Sequence, residues 1–311
     1  MNARLAAVVL AHDDPAKIRR LLAALDGVDV FLHCDRRAPD EHLRAMIAGA
    51  RPRVSVVPRQ RTTLCSWSLV EAELAGLRLA LERSRAEHII LLSGACYPLV
   101  SVPELEDELS RWRGLTRMQL NPIPHDGWST PRNRDGGLWR FRRRYVTVRG
   151  QLVWLGGVPV RGRRRAIPRE LRLHGSSQWK IYARRHAAAL LGVLGDRPDL
   201  VSFWRTTYVP DEACAASILQ SPALVGPVAE QVRDDLPWFI NWNEPMRVFH
   251  PAWLADADFP MLEAERRGPS RTPDDALIGA PDRDRFRKLF ARKVSSRAPR
   301  LLDRIDRELR H

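Results

Sequence analysis

The side chains able to do chemistry in this 311-residue chain stand at the ends of short apolar runs. Tyr208-Val-Pro-Asp-Glu212 puts two carboxylates, Asp211 and Glu212, at the start of a helical segment with Pro210 in its first turn. A carboxylate in a pocket can be tuned to take the proton of a hydroxyl. In a first turn it equally meets the positive end of the helix dipole, and Asp211 in particular is expected to cap. Base and cap are both open at this point. A second set of polar residues closes the run Ile89 to Leu92, which is apolar without alternation, as in a strand covered on both faces. It ends in Ser93-Gly-Ala-Cys-Tyr97. Ligands bind outside the carboxyl ends of strands in open α/β sheets, so Ser93 to Tyr97 should face a site.

The other chemistry-bearing residues narrow the classes. Cys34, Cys65, Cys96 and Cys214 form no C-x-x-C pair, which argues against zinc or a redox dithiol. Buried free thiols in a reducing cytoplasm are expected. An Asp-x-Asp, Asp256-Ala-Asp258, comes far from the central strand and reads as a solvated turn or helix start. Net charge is +14, almost all from Arg, since Lys occurs only at 17, 180, 288 and 293. Such charge attracts nucleic acid, anionic lipid or a nucleotide alike, and does not choose among them.

The elements that must position these residues read as repeated βα units. Leu5 to Leu10 is a first strand, cut by His12-Asp13-Asp14 and too short to span a membrane. Asp14-Pro15 then caps a helix with Ile18, Leu21, Leu22 and Leu25 on one face. Val28 to His33 is a second strand ending in Cys34-Asp35, and Val54 to Pro58 a third. Ser68-Leu-Val-Glu71 and Ser101-Val-Pro-Glu104 both have capping-box spacing. From Asn121 to Arg169 periodicity fails under Pro, Gly and two Arg-rich runs, so this stretch is a long loop or small subdomain, with a hairpin around Tyr145 to Val153. His174 to Tyr182 is strand-like and His186 to Leu194 helical. After Ser295, Leu301, Leu302, Ile305 and Leu309 share one face of a basic amphipathic helix, which either packs on the domain or touches a membrane surface weakly.

Taken in order, the segments resemble the inverting glycosyltransferases that include the core 2/I-branching β-1,6-N-acetylglucosaminyltransferases and the peptide O-xylosyltransferases, as a bacterial-type member. The resemblance is carried by Val9-Leu-Ala-His12, Phe31-Leu-His-Cys-Asp35, Cys65-Ser-Trp-Ser68, Leu92-Ser-Gly-Ala-Cys-Tyr-Pro98, Gly175-Ser-Ser-Gln-Trp179, Pro210-Asp-Glu212 and Phe290-Ala-Arg-Lys293. Only 121–169 and 225–288 align poorly. It implies an α/β fold of GT-A type, a Rossmann-like sheet flanked by helices, in one catalytic domain over 1–311: a nucleotide-binding half (1–120), an irregular loop region (121–170), an acceptor half (171–250) and a diphosphate-binding tail (251–311). It implies Glu212 as general base, and His12, Asp35, Arg247 and Lys293 as donor contacts, with Arg266 or Arg271 as alternatives to Arg247. Trp67, Ser93, Gly94, Cys96, Ser176, Gln178, Trp179 and Trp242 are candidates for further donor or acceptor contacts. At Cys96 the family commonly carries an acid, which places sugar recognition in question.

An inverting transfer needs a base on the acceptor hydroxyl and positive charge for the departing diphosphate. With no acid after the central strand to hold a metal, Arg and Lys near the C-terminus are expected to supply that charge, with no divalent metal and no cofactor beyond the sugar nucleotide. The resemblance implies a UDP-sugar donor, GlcNAc or xylose, and a peptide, natural product or glycan as acceptor. A cytoplasmic location is expected, since no secretory signal or anchor is read. The rival readings are a basic nucleic-acid-binding protein, disfavoured because no aromatics interleave with the basic runs, and a catalytically silent sugar-nucleotide or carbohydrate binder.

Overall fold

The computed structural model describes residues 5–50, 53–130, 133–242, 251–278 and 285–310. Strands β1 (Leu5–Ala11), β2 (Asp29–Cys34), β3 (Val54–Val56) and β4 (His88–Ser93) are joined by helices α1 (Pro15–Ala24), α2 (Asp40–Ile47) and α3 (Trp67–Arg83). Every residue of β1 and β4 is buried, as their unbroken apolar runs require. A strand β5 (Cys96–Pro98) and helix α4 (Val102–Ser110) follow, then β6 (Thr116–Met118), β7 (Ile181–Ala183), helices α5 (Arg184–Asp196) and α6 (Pro198–Arg205), and β8 (Val232–Asp234). The seven-stranded sheet has the order β8-β6-β7-β4-β1-β2-β3. Its right half is parallel throughout, and β7 runs antiparallel to β4 and β6. This is the mixed α/β architecture expected, with β1 and β4 at the centre.

A second sheet carries the tail to the centre of the first. Strands β9 (Trp238–Ile240) and β10 (Phe290–Arg292) pair in parallel, and β10 pairs antiparallel with β5, so that Arg292 faces Cys96 across the ladder. The Val294 N–H continues the contact to the Ala95 carbonyl at 2.9 Å. Residues almost two hundred positions apart in sequence thereby share the turn after β4.

Two cap assignments separate here. Ser101 and Glu104 form the full capping box of α4. The box expected at Ser68 to Glu71 does not form: α3 begins earlier, at Trp67, and the Ser68 hydroxyl instead accepts the Thr63 N–H at 3.0 Å. Trp67 is buried at that helix start and is a core aromatic. The irregular stretch contains short antiparallel ribbons, Thr147–Val148 with Gln151–Leu152, Trp154–Leu155 with Val158–Pro159, and Arg143–Tyr145 with Arg161–Arg164.

The C-terminal helix α9 (Pro299–Arg304), prolonged by the turn Ile305–Leu309, takes the first of its two expected uses and packs on the domain. Leu301, Leu302, Ile305 and Leu309 are all buried in the same hydrophobic cluster as β1 and β4. Asp306 accepts the Tyr97 hydroxyl at 2.9 Å and the Arg20 guanidinium at 2.8 Å. The apolar face is spent on the core and has nothing left for a membrane. No helix among the described residues is long and apolar enough to cross one.

Candidate active site

A cavity of about 960 Å³ opens at the carboxyl ends of β1, β2 and β4. His12, Asp35, Ser93, Gly94, Gln178, Trp179 and Lys293 all line it. A second cavity of about 150 Å³ lies at the other end of the strands, around Gly27, Gly49 and Met46, away from these residues.

The floor is the turn after β4. Gly94 donates its N–H to the Leu10 carbonyl at 2.8 Å, and a Cβ there would meet Ile18 Cδ1 at 2.9 Å, so a larger residue would have to push that side chain aside for the turn to settle on α1. The Ser93 hydroxyl accepts the Ala95 N–H at 3.1 Å and is also hydrogen-bonded by the Arg292 guanidinium. Cys96 is fully buried beneath the turn, touching Ser93 through its sulfur at 3.3 Å, and is not part of the cavity wall. Its carbonyl holds the ammonium of Lys17, whose complete burial pushes its pKa down to about 7.

On the β1–β2 side, His12 is exposed at the mouth. Asp35 is buried and accepts the Arg37 N–H at 2.8 Å, its guanidinium at 3.0 Å and the Thr62 N–H at 2.8 Å. Those donors overcome the opposing effect of burial and hold its carboxyl below the usual carboxylate range. So much of its hydrogen-bonding capacity goes to ordering the Arg37 and Thr62 walls that Asp35 shapes this side of the cavity. His33 accepts the Gln60 N–H at 3.2 Å, and burial lowers its pKa to about 4, keeping it neutral near pH 7.

The cationic wall is where the sequence reading changes. Arg292 lines the cavity beside Lys293, with its guanidinium 4.3 Å from the Trp179 ring centroid. The Lys293 ammonium lies 5.3 Å from the Trp253 centroid, and burial followed by repulsion from Arg292 lowers its pKa. The two alternatives to Arg247, Arg266 and Arg271, are elsewhere. Arg266 donates to the Leu99 carbonyl at 3.1 Å and to Glu104, and Arg271 is buried against Asp235 at 3.1 Å. Neither lines the cavity. Arg247 lies outside the described residues. Arg292 was present in the Phe290-Ala-Arg-Lys293 motif, and strand alternation alone did not say which way it points. Asp256 and Asp258 form the helix start expected, Asp258 accepting the Ala255 N–H at 2.7 Å ahead of helix α8 (Phe259–Arg267).

Glu212 is outside the cavity lining but tied to its wall: its carbonyl accepts the Ser176 N–H at 2.7 Å, two residues before Gln178. Ser176 is itself buried, its hydroxyl bonded to the Ser177 carbonyl at 3.0 Å. The Gln178 amide nitrogen is buried with no hydrogen-bond partner among the described residues. Trp242 is 60% exposed and no part of the cavity wall. The Glu212 carboxylate, 41% exposed, faces the Arg140 guanidinium at 3.4 Å. Desolvation in the cleft raises its pKa and Arg140 opposes that rise. Arg140 in turn lies 4.0 Å from the Trp128 ring centroid, and Trp128 packs so closely on Gly175 that a Cβ there would overlap the indole at 2.5 Å. Arg140 and Trp128 come from the aperiodic stretch, which gave no sequence signal of either contact.

Asp211 does not cap. Residues Pro210–Glu212 form a 3₁₀ turn, the helix α7 (Cys214–Leu219) starts beyond Ala213 without a side-chain cap, and Asp211 Oδ1 is buried without a partner among the described residues. Burial and the neighbouring Glu212 push its pKa well above the ordinary value. The folded protein therefore holds a proton that the unfolded chain releases near pH 4. Stability is full below that pH and falls as pH rises toward neutrality. Asp211→Asn is accordingly expected to raise stability at pH 8 by roughly 1 kcal/mol and to change nothing at pH 3.5, read as Tm in parallel melts. A variant less stable at both pH values would restore a structural role to the carboxylate.

Residues 6–257 match the family model described as Core-2/I-Branching enzyme. The chain belongs to this family. It is a glycosyltransferase. No curated protein matches the chain in sequence. Among solved structures, the apo form of mouse xyloside xylosyltransferase 1 is similar at 11% identity, over 75% of this chain and 86% of that one, with a TM-score of 0.37. HddC from Yersinia pseudotuberculosis is similar at 12% identity over 58% of this chain and 78% of its own, with a TM-score of 0.29. Likeness at this level carries nothing about donor or acceptor; the family match does the identifying.

Proposed function

We propose that this glycosyltransferase moves a sugar, GlcNAc or xylose, from a UDP-sugar to an acceptor hydroxyl on a peptide, natural product or glycan, with inversion and without a divalent metal. The observation that carries the reading is the cationic wall of the strand-end cavity, where Arg292 and Lys293 face a turn, Ser93-Gly94-Ala95, that holds no carboxylate. Burial first and repulsion from Arg292 second lower the pKa of Lys293, and an anion between the two cations offsets both costs. As the glycosyl bond breaks, negative charge grows on the diphosphate, and fixed cations stabilise it without reorganising. Trp179 holds the Arg292 plane in place, and Gln178 supplies an unused amide N–H to the donor. His12 and the Arg37–Thr62 wall organised by Asp35 face the nucleoside. Glu212 takes the proton of the attacking hydroxyl, and its raised pKa makes it a stronger base than a solvated carboxylate.

A thermal-shift screen against UDP-, dTDP- and GDP-sugars tests the donor, because a ligand bound only by the native state raises Tm by mass action. Stabilisation by UDP-sugars alone is the expected result, and none by any sugar nucleotide would remove the reading. Metal independence has its own measurement. Transfer, or slow hydrolysis of the donor, is expected to continue in excess EDTA, whereas loss on chelation with recovery in manganese would show that an ion shares the work of Arg292 and Lys293.

A further inference from the structure

We propose that the ribbons between Arg143 and Arg164 form a docking surface for an anionic lipid bilayer. Large apolar side chains are concentrated there at the tips of two ribbons: Leu155 is 78% exposed, Val148 61%, Val158 51% and Trp154 43%. Gly156 and Gly157, both at positive φ, make the two-residue turn that projects Trp154, Leu155 and Val158 outward. The ribbons are one unit, because the Val153 N–H bonds the Val146 carbonyl, Val146 bonds Val160, and Val160 bonds Val153, each at 2.9 Å.

Within the ribbons the charge has one sign, and the carboxylate that comes beside Gly150, Glu71, is already paired with Arg205. From Gly136 to Arg169 the sequence contains no Asp or Glu and ten Arg. Arg144, Arg149, Arg163 and Arg164 are exposed and make no ion pair among the described residues. Exposed Trp, Leu and Val ringed by unpaired arginine match the two layers of an anionic membrane surface, apolar chains beneath negative headgroups. A nucleic acid would use the arginines and leave Leu155 and Val158 in water, so the apolar tip selects lipid over other polyanions.

The surface reaches toward Glu212 through a cluster of aromatic rings. Trp154 packs edge-on to Tyr208 at 6.3 Å, Tyr208 lies tilted against Tyr145 at 5.3 Å and Trp139 at 5.4 Å, and Tyr208 shortly precedes Glu212 in the chain. A bilayer on the ribbons therefore brings lipid-borne hydroxyls toward Glu212; this consequence, unlike the docking itself, rests on the proposed function.

Flotation of the full chain with vesicles tests the docking without any transfer reaction. With phosphatidylcholine containing 30% phosphatidylglycerol at ~0.1 M salt, the protein is expected to float, and with pure phosphatidylcholine to stay in solution. Trp154→Asp with Leu155→Asp should lower partitioning at least about tenfold, and Arg163→Ala roughly fivefold, the weight of one basic residue at such a surface. Both changes are at exposed sites, and an unchanged Tm confirms the fold. Failure to float with anionic vesicles overturns the proposal. So does equal flotation of the Trp154→Asp, Leu155→Asp variant, or equal competition by RNA in both proteins, since either would reduce the surface to general polyanion adsorption. Flotation with no sugar-nucleotide shift in Tm would leave the docking standing and remove only the transfer reading.

Discussion

Glu212→Gln is expected to give a folded protein that still binds donor and scarcely turns over. Glutamine keeps the size of the side chain but does not take a proton, and general-base groups contribute about 10²–10⁴-fold. The structural cost is small. The carboxylate is 41% exposed and its contact with Arg140 is a single 3.4 Å approach, so losing the pair costs at most about 1 kcal/mol. The Ser176 bond is to the Glu212 backbone and survives the change. Donor binding should persist, because the cavity wall contains Arg292, Lys293 and Gln178 but not Glu212. The parent enzyme has a matching pH signature. With the Glu212 pKa raised, the basic form is lost earlier on acidification than an ordinary glutamate would lose it, so the rate should fall with pH from above the usual carboxylate range. Turnover by Glu212→Gln within about threefold of the parent would take the base role away from Glu212.

Lys293→Ala is expected to lower turnover on the order of 10²-fold, the loss typical of one preorganised transition-state contact. Its ammonium is only partly buried and makes its side-chain contact with Trp253, so removing it leaves no buried partner orphaned and Tm should hold. Lys293→Arg keeps the charge and should recover part of the rate, which a packing role for the lysine would not predict. Arg292 is the less clean test, since its guanidinium also packs on Trp179 and bonds Ser93. Unchanged turnover in Lys293→Ala, measured at saturating donor, would assign the diphosphate to Arg292 alone or to another group.

The amino-acid sequence by itself determined the βα units, the covered central strand, the capping box at Ser101 and the ordered motifs of the family. Those are local properties, set by apolar period, cap chemistry and residues adjacent in the chain. His12, Asp35, Ser93, Gly94, Gln178, Trp179 and Lys293 were legible for the same reason: each stands at a strand end or within a short motif, and the structure brings all seven to one cavity. Tertiary structure alone showed that Arg292 stands by Lys293 and that Arg266 and Arg271 do not line the cavity. Arg266 and Arg271 look equally free in sequence, but each is committed to a carboxylate that pairing of distant segments brings beside it, Glu104 and Asp235. Asp211 likewise fits a cap by spacing, yet the turn it occupies folds inward and buries it, and a buried carboxylate oxygen, Oδ1, without a partner among the described residues is a property of surroundings that no local pattern records. The amphipathic tail is the same case seen from outside. Its periodicity specifies an apolar face, and only the packing of Leu301, Ile305 and Leu309 against the core shows what that face covers, because burial depends on which distant surface arrives opposite it.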